Sequence, residues 1–336
     1  MSVGCFAIMC NSEDKMKTNI TFGGITVHSG AKVSRYIEVE ELGGYKLPVT
    51  IINGEDDGKK FLVTASIHGF EYPGIEASAE LCREIEPQNM KGAMIIIPII
   101  NSSGFYGRQP YVCPDDEERK NLNKLAPGDK NGTFGQKLIA YLYDEFVAKV
   151  DFHLDLHSGD ATEQLSNFAA AGNAPDEETR KFIYSVINHT SFEYFTQSSG
   201  KTEFYNGSVI YKGVPSMMFE VGGAGVWTRK EVVEEKENVK RIAKFLGILP
   251  GEAELNKEQR QLKTQSWIEC EHDGFFYAFA KAGEEIKKGQ KLYEIRNVYG
   301  ELLEEHYAAY DGRVMIMNNT LGVSEGDDAV FYGKIE

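Results

Sequence analysis

Four apolar runs along this chain each stop at a polar side chain. Phe61-Leu62-Val63-Thr64-Ala65 leads into Ser66-Ile67-His68-Gly69-Phe70-Glu71, and the run Ala93 to Ile100 stops at Asn101. Val150 to Leu156 reaches His157-Ser158-Gly159, and Val214 to Phe219 reaches Glu220 before Val221-Gly222-Gly223. Short continuous runs of this kind predict strands buried on both faces. Between them, Pro73 to Glu86, Phe134 to Val150, Glu177 to Asn188 and Lys230 to Leu246 have helical spacing. Strands alternating with helices predict an α/β fold, a mixed and largely parallel sheet flanked by helices. In open sheets of that kind ligands bind beyond the carboxyl ends of the strands, so the polar stops predict one shared site.

Other stretches have a different character. The first sixty residues read as strands and turns, the first twenty or so as an extension, and Asn101 to Asp129 shows no period and reads as a long loop. The charges Glu231, Glu234, Glu235, Lys236, Glu237 and Lys240 read as the solvated face of a helix. A boundary is expected near Leu249 to Gln265, which divides the chain into a domain over 1–255 and a C-terminal β domain over 256–336. In the latter, Asp273-Gly274, Lys288-Gly289, Asp311-Gly312 and Glu325-Gly326 punctuate short strand-like runs, predicting a small all-β barrel or sandwich. Its duplicated hairpin pattern resembles biotinyl and lipoyl carrier domains. Those carriers need a lysine at the hairpin tip, and the turn Arg296 to Glu301 has none. The domain is therefore read as structural or site-covering.

Composition removes several classes of function. A net charge of -15 argues against nucleic acid and anionic membranes as partners. No apolar stretch reaches membrane-spanning length and Met1 to Cys10 lacks the basic start of a signal peptide, so the chain reads as soluble and cytoplasmic. Cys5, Cys10, Cys82, Cys113 and Cys270 are scattered and include no CxxC pair, which speaks against a disulfide framework or a cysteine zinc site.

The chemistry then rests on a few residues. His68 and Glu71, on one turn after a strand, look like half of a metal site, and one further histidine completes the set a catalytic zinc requires. His157 ends another strand, as a distant ligand should, with Asp155 two residues earlier on the same face to order it. Glu220, followed by glycines, is placed for proton transfer. His153 shares the parity of His157 and reads as hydrogen-bonded within the fold, while Tyr106, Tyr111, Tyr205 and Tyr211 are candidates for the pocket wall.

The segments 66–74, Asn121-Leu122-Asn123-Lys124-Leu125-Ala126-Pro127-Gly128, Asp155-Leu156-His157-Ser158-Gly159 and Phe219-Glu220-Val221-Gly222-Gly223, in this order, resemble the succinylglutamate desuccinylase and aspartoacylase family, within the wider zinc carboxypeptidase class. The likeness covers roughly residues 20 to 336. It implies a zinc-carboxypeptidase-like fold, one Zn(2+) per chain on His68, Glu71 and His157, and Glu220 as the catalytic glutamate. It places the carbonyl-polarising arginine on Arg108, with Arg119 in the same loop as the competitor, and the substrate-binding pair on Asn123 and Lys124. The family has arginine at position 124 and phenylalanine at 126, where this chain has Lys124 and Ala126. Lysine is a flexible point charge rather than a bidentate fork for a carboxylate.

The expected function is zinc-dependent removal of an acyl group from an N-acylated amino acid or related small amine, by a deacylase with a small-molecule substrate. A zinc carboxypeptidase acting on short peptides uses the same site, and a non-catalytic zinc-binding protein is the remaining alternative, against which Glu220 weighs. The acyl group, the amine and the existence of a homo-oligomer are left open.

Overall fold

Asp56–Ala65, Lys91–Ile97, Phe152–His157 and Ser216–Glu220 form strands where the apolar runs predict them. They lie side by side and parallel at the centre of one sheet, in the order 91–97, 56–65, 152–157, 216–220. Residues 18–111 and 121–335 are described here by a computed structural model. Phe61, Val63, Met94, Ile96, Phe152, Leu154, Met217 and Phe219 are buried in the core on one face and Leu62, Ala93, Ile95 and Ile97 in the core on the other, which explains why the runs read as continuous rather than alternating.

Parallel order is concentrated in this centre. Tyr45–Asn53 and Ala31–Val39 continue one edge antiparallel, and Phe168–Ala171 lies antiparallel to Ser216–Glu220 on the other side. Tyr194–Gln197 and then Arg260–Glu269 add in parallel beyond it. Arg260–Glu269 also pairs antiparallel with Asp328–Ile335, so the sheet runs without a break into the C-terminal strands. Gly274–Ala278, Lys291–Arg296, Leu302–Tyr307 and Gly322–Val323 make a second sheet, and Phe276, Leu292, Ile295, Val314 and Val330 fill the core around it.

Helix Tyr72–Glu84 packs directly on the central strands: a Cβ on Gly74 would stand 2.7 Å from that of Leu156, so no side chain fits there. Helix Phe134–Glu145 is held at its start by a capping box between Thr133 and Gln136, and Arg229–Phe245 by another between Thr228 and Glu231. The loop expected over 101–129 is instead opened by a short helix, Ser102–Gly107, whose first turn is fixed by Asn101 accepting from the Gly104 N–H at 2.8 Å. Helix Phe204–Lys212 gives no amphipathic signal because most of its residues are buried all round. No helix among the described residues is long and apolar enough to cross a membrane.

The charges on Arg229–Phe245 need correction. Glu235 is fully buried and Lys236 nearly so, whereas the sequence places both on a solvated face. Lys236 Nζ lies 2.7 Å from Glu80 and 2.6 Å from Glu84, which ties this helix to Tyr72–Glu84. Neither carboxyl oxygen of Glu235 has a hydrogen-bond partner. Burial, with Glu234 and Glu220 nearby, pushes its carboxyl well above the usual range. A raised folded-state pKa means that the native state keeps a proton which the unfolded chain loses above about pH 4.3. The cost of Glu235 is therefore absent at low pH and grows as pH rises toward the folded value. Glu235→Gln is expected to stabilise the protein more at pH 8 than at pH 4 in denaturant titrations at both pH values, and an equal effect at both would contradict this.

Candidate active site

Three strand ends and one loop build the site. After Asp56–Ala65 the backbone turns at Ser66, a non-glycine residue in the left-handed region with φ 62°. Gly69 follows His68 because a Cβ there would come within 2.2 Å of the Gln109 carbonyl oxygen, so this turn seats against the short helix 102–107. Glu71 is the N-cap of Tyr72–Glu84, with Pro73 in the first turn. His157 ends its own strand and is the register partner of Glu220 on the next. Parallel neighbours lie about 4.8 Å apart with side chains on the same face, so the histidine and the glutamate emerge together.

His68 Nδ1 lies 2.7 Å from Glu71 Oε1, and His157 Nδ1 lies 3.2 Å from Glu71 Oε2. One ligand atom from each of the three residues falls within 4.8 Å of the others. The opposite ring nitrogens are anchored by oxygens: His68 Nε2 by Asn121 Oδ1 at 3.1 Å and His157 Nε2 by Asp155 Oδ2 at 2.9 Å. Two imidazole nitrogens and a carboxylate thus converge on one point, with their outer faces held by acceptors, as metal-binding histidines require. Glu71 Oε2 is buried with only the His157 Nδ1 contact and no hydrogen bond of good geometry, an electron pair that a cation would satisfy. This donor set fits a zinc with an open coordination position.

Burial opposes ionisation of Glu71, but His157 and His68 beside it pull its carboxyl down to about 2. Burial also works against charge on His157, yet Glu71 and Asp155 hold its imidazole well above the ordinary value. Glu220 goes the other way: burial, together with Glu71, Glu163 and Asp155, pushes it well up against the opposing pull of His157. Asp155 is completely buried behind His157.

His68, Glu71, His157, Glu220, Asn123 and Lys124 line one cavity of about 690 Å³, the size of a small-ligand site. Asn123 uses its Oδ1 to accept the Phe204 N–H at 2.9 Å, and Lys124 Nζ lies 3.3 Å from Glu203. Arg108 does not join them. It ends helix 102–107 in the left-handed conformation, is exposed, and is absent from the cavity wall. Arg119 lies outside the described residues. Tyr111 and Tyr205 line the cavity, whereas Tyr106 and Tyr211 are exposed outside it.

The rest of the wall escapes sequence reasoning. Glu163–Leu165, just after His157, pairs with Gly312–Asn318 of the C-terminal strands. Trp267 and Asp328 come from the same C-terminal part, with the Trp267 indole N–H donating to the Asp328 carboxylate. Burial, with Asp328 and Asp160 close by, pushes the Glu163 carboxyl up to about 7. Asp160 and Glu163 were visible as acids close behind His157; nothing local marks Trp267 or Asp328.

The chain is similar to several known proteins. The succinylglutamate desuccinylase/aspartoacylase catalytic domain matches residues 57–246. The N-alpha-acetyl-L-2,4-diaminobutyric acid deacetylase of Halomonas elongata is 25% identical over 302 residues, 87% of this chain and 87% of that protein. The product-bound ectoine utilization protein EutE (DoeB) from Ruegeria pomeroyi superposes with a TM-score of 0.79 at 25% identity, over 87% of this chain and 90% of that one. A succinylglutamate desuccinylase/aspartoacylase from Rhodobacter sphaeroides shares the fold, with a TM-score of 0.80 at 21% identity, over 91% of this chain and 95% of that one.

Elemental analysis after zinc loading and desalting is expected to give one ion per chain, lost in His68→Ala and in His157→Ala. Arg108→Ala is expected to retain it with unchanged kinetics. Full zinc occupancy in either histidine variant would contradict the cluster.

Proposed function

This chain belongs to the succinylglutamate desuccinylase/aspartoacylase family, and from that we propose that it hydrolyses the amide bond of a small N-acylated amine, with zinc on His68, Glu71 and His157 and Glu220 as the base. The observation that carries the reading is Glu220 in register with His157 on the floor of one cavity. A metal-binding role alone gives no reason for a half-buried carboxyl with a raised pKa there.

His68, Glu71 and His157 would hold the zinc, which would supply a Lewis acid and make water easier to deprotonate, with a pKa of about 7. Glu220 accepts a proton at its carboxylate and returns it to the leaving nitrogen, a transfer worth about 10²- to 10⁴-fold. Asp155 holds His157 in place through its Nε2–H, and Asn121 does the same for His68. Residues 1–255 act as the hydrolase part and 256–336 as the part that walls the cavity through Gln265, Trp267 and Asp328. That wall supports a small substrate over the extended peptide of a carboxypeptidase.

The described wall also bears on the amine. It carries Asp160, Glu163, Glu203, Glu269, Asp327 and Asp328 against a single lysine, Lys124, itself beside Glu203. A substrate with a second, cationic amine suits this field better than a dicarboxylate. The diaminobutyric acid derivative in the name of the Halomonas relative is of that kind.

Hydrolysis is tested on N-acyl diamines, N-acyl diamino acids, N-acyl dicarboxylic amino acids and dipeptides. Turnover is expected on the cationic N-acyl compounds, with Glu220→Gln losing about 10²-fold or more while still binding zinc. Full activity in that variant would falsify the base assignment, and preference for dipeptides would favour the peptidase. Glu220 must be ionised to accept a proton, and its pKa is raised. The acid limb of kcat/KM is therefore expected above pH 4.3, the ordinary glutamate value; a limb at or below it would contradict the assignment.

A further inference from the structure

Behind His157 a buried chain of side chains runs away from the cavity. Thr64 Oγ1 lies 2.6 Å from Asp155 Oδ1 and 2.8 Å from His153 Nε2. His153 Nδ1 lies 2.8 Å from Ser208 Oγ, and Asp155 Oδ2 lies 2.9 Å from His157 Nε2. Thr64, His153, Asp155 and Ser208 are 0% exposed and His157 is 1% exposed, so solvent cannot substitute for any member. The arrangement follows from the sheet. Thr64 is the register partner of Asp155, and His153, Asp155 and His157 alternate onto one face of their strand.

We propose that Thr64 and His153 are positioning residues that fix which nitrogen of His157 faces the metal cluster. The inference rests on the reading of His157 as a ligand. The proton positions follow from counting donors and acceptors. An ionised carboxylate can only accept, so the single hydroxyl proton of Thr64 goes to Asp155 Oδ1. The Thr64 oxygen then accepts from His153, which must carry its hydrogen on Nε2. Burial pulls His153 down to about 4, so it is neutral and has one ring N–H. Its Nδ1 therefore accepts the Ser208 hydroxyl. With one oxygen of Asp155 held by Thr64, the other is directed at His157 Nε2 and keeps the proton there. With a metal bound and one proton on His157, Nδ1 would be the nitrogen free to donate its electron pair, on the side of Glu71, whose Oε2 lies 3.2 Å away.

Removing the Thr64 hydroxyl takes a donor from Asp155 and the acceptor from the His153 N–H together. The carboxylate is then no longer held in one orientation, and His157 loses its fixed tautomer. Substitutions at groups that orient metal ligands cost about 10- to 100-fold in metal affinity.

The test is the zinc dissociation constant, by competition with a chromogenic chelator, for the full chain and for Thr64→Val, Thr64→Ser and His153→Leu. The absorption spectrum of each protein loaded with cobalt(II) is the second readout, and circular dichroism of the metal-free proteins confirms folding. Thr64→Val and His153→Leu are expected to bind zinc about 10-fold or more weakly and to shift the cobalt bands. Thr64→Ser, which keeps the hydroxyl, is expected to keep wild-type affinity and spectrum. Wild-type affinity in Thr64→Val and His153→Leu would overturn the proposal, as would equal losses in Thr64→Val and Thr64→Ser, which would point to packing. If Thr64→Val does not fold, His153→Leu decides. Failure of the wild-type chain to bind zinc would overturn the ligand reading itself, a result distinct from any difference among variants.

Discussion

Because Phe152–His157 and Ser216–Glu220 pair in parallel with His157 opposite Glu220, a basic ligand and an acidic group leave the sheet at the same height and on the same face. The same register sets Asp155 against Thr64 one row deeper. A slip of one residue in either strand would turn these side chains to the opposite face. The cores of Phe61, Leu154, Met217 and Phe219 hold that register, so hydrophobic burial far from the chemistry specifies the geometry of the site.

Charge balance is the second constraint. Glu71, Asp155 and Glu220 surround two imidazoles in a region where burial penalises every ionised group. In the protein alone, protons on the imidazoles offset the carboxylates. A divalent cation at the cluster would offset them in a different way, through the same electron pairs. The raised carboxyl of Glu163 extends this acidic surround toward the C-terminal wall.

Much of the site was legible because its residues terminate apolar runs, a local pattern. His68, Glu71, His157 and Glu220 stand at such ends, and their ordered combination matched one family. The remainder depends on contacts remote in sequence. Trp267 and Asp328 reach the cavity only because Arg260–Glu269 joins the main sheet and Glu163–Leu165 pairs with Gly312–Asn318. Arg108 caps the short helix 102–107, exposed and off the described cavity wall, a placement that loop position in the sequence does not reveal. Glu235 read as exposed because charges flank it on both sides, although it stands on the same face of Arg229–Phe245 as Val232, Val239 and Ile242, which are buried with it. His153 was legible as a histidine hydrogen-bonded within the fold, but Thr64 was hidden inside a strand, where only the register between strands shows that the two meet.

If this register builds a cation site beside Glu220, diffraction from zinc-loaded crystals, recorded on both sides of the zinc absorption edge, gives one anomalous peak per chain, enclosed by His68, Glu71 and His157 and adjacent to Glu220. An empty cluster, or a peak held instead by Asp327 and Asp328 at the far wall, would contradict it.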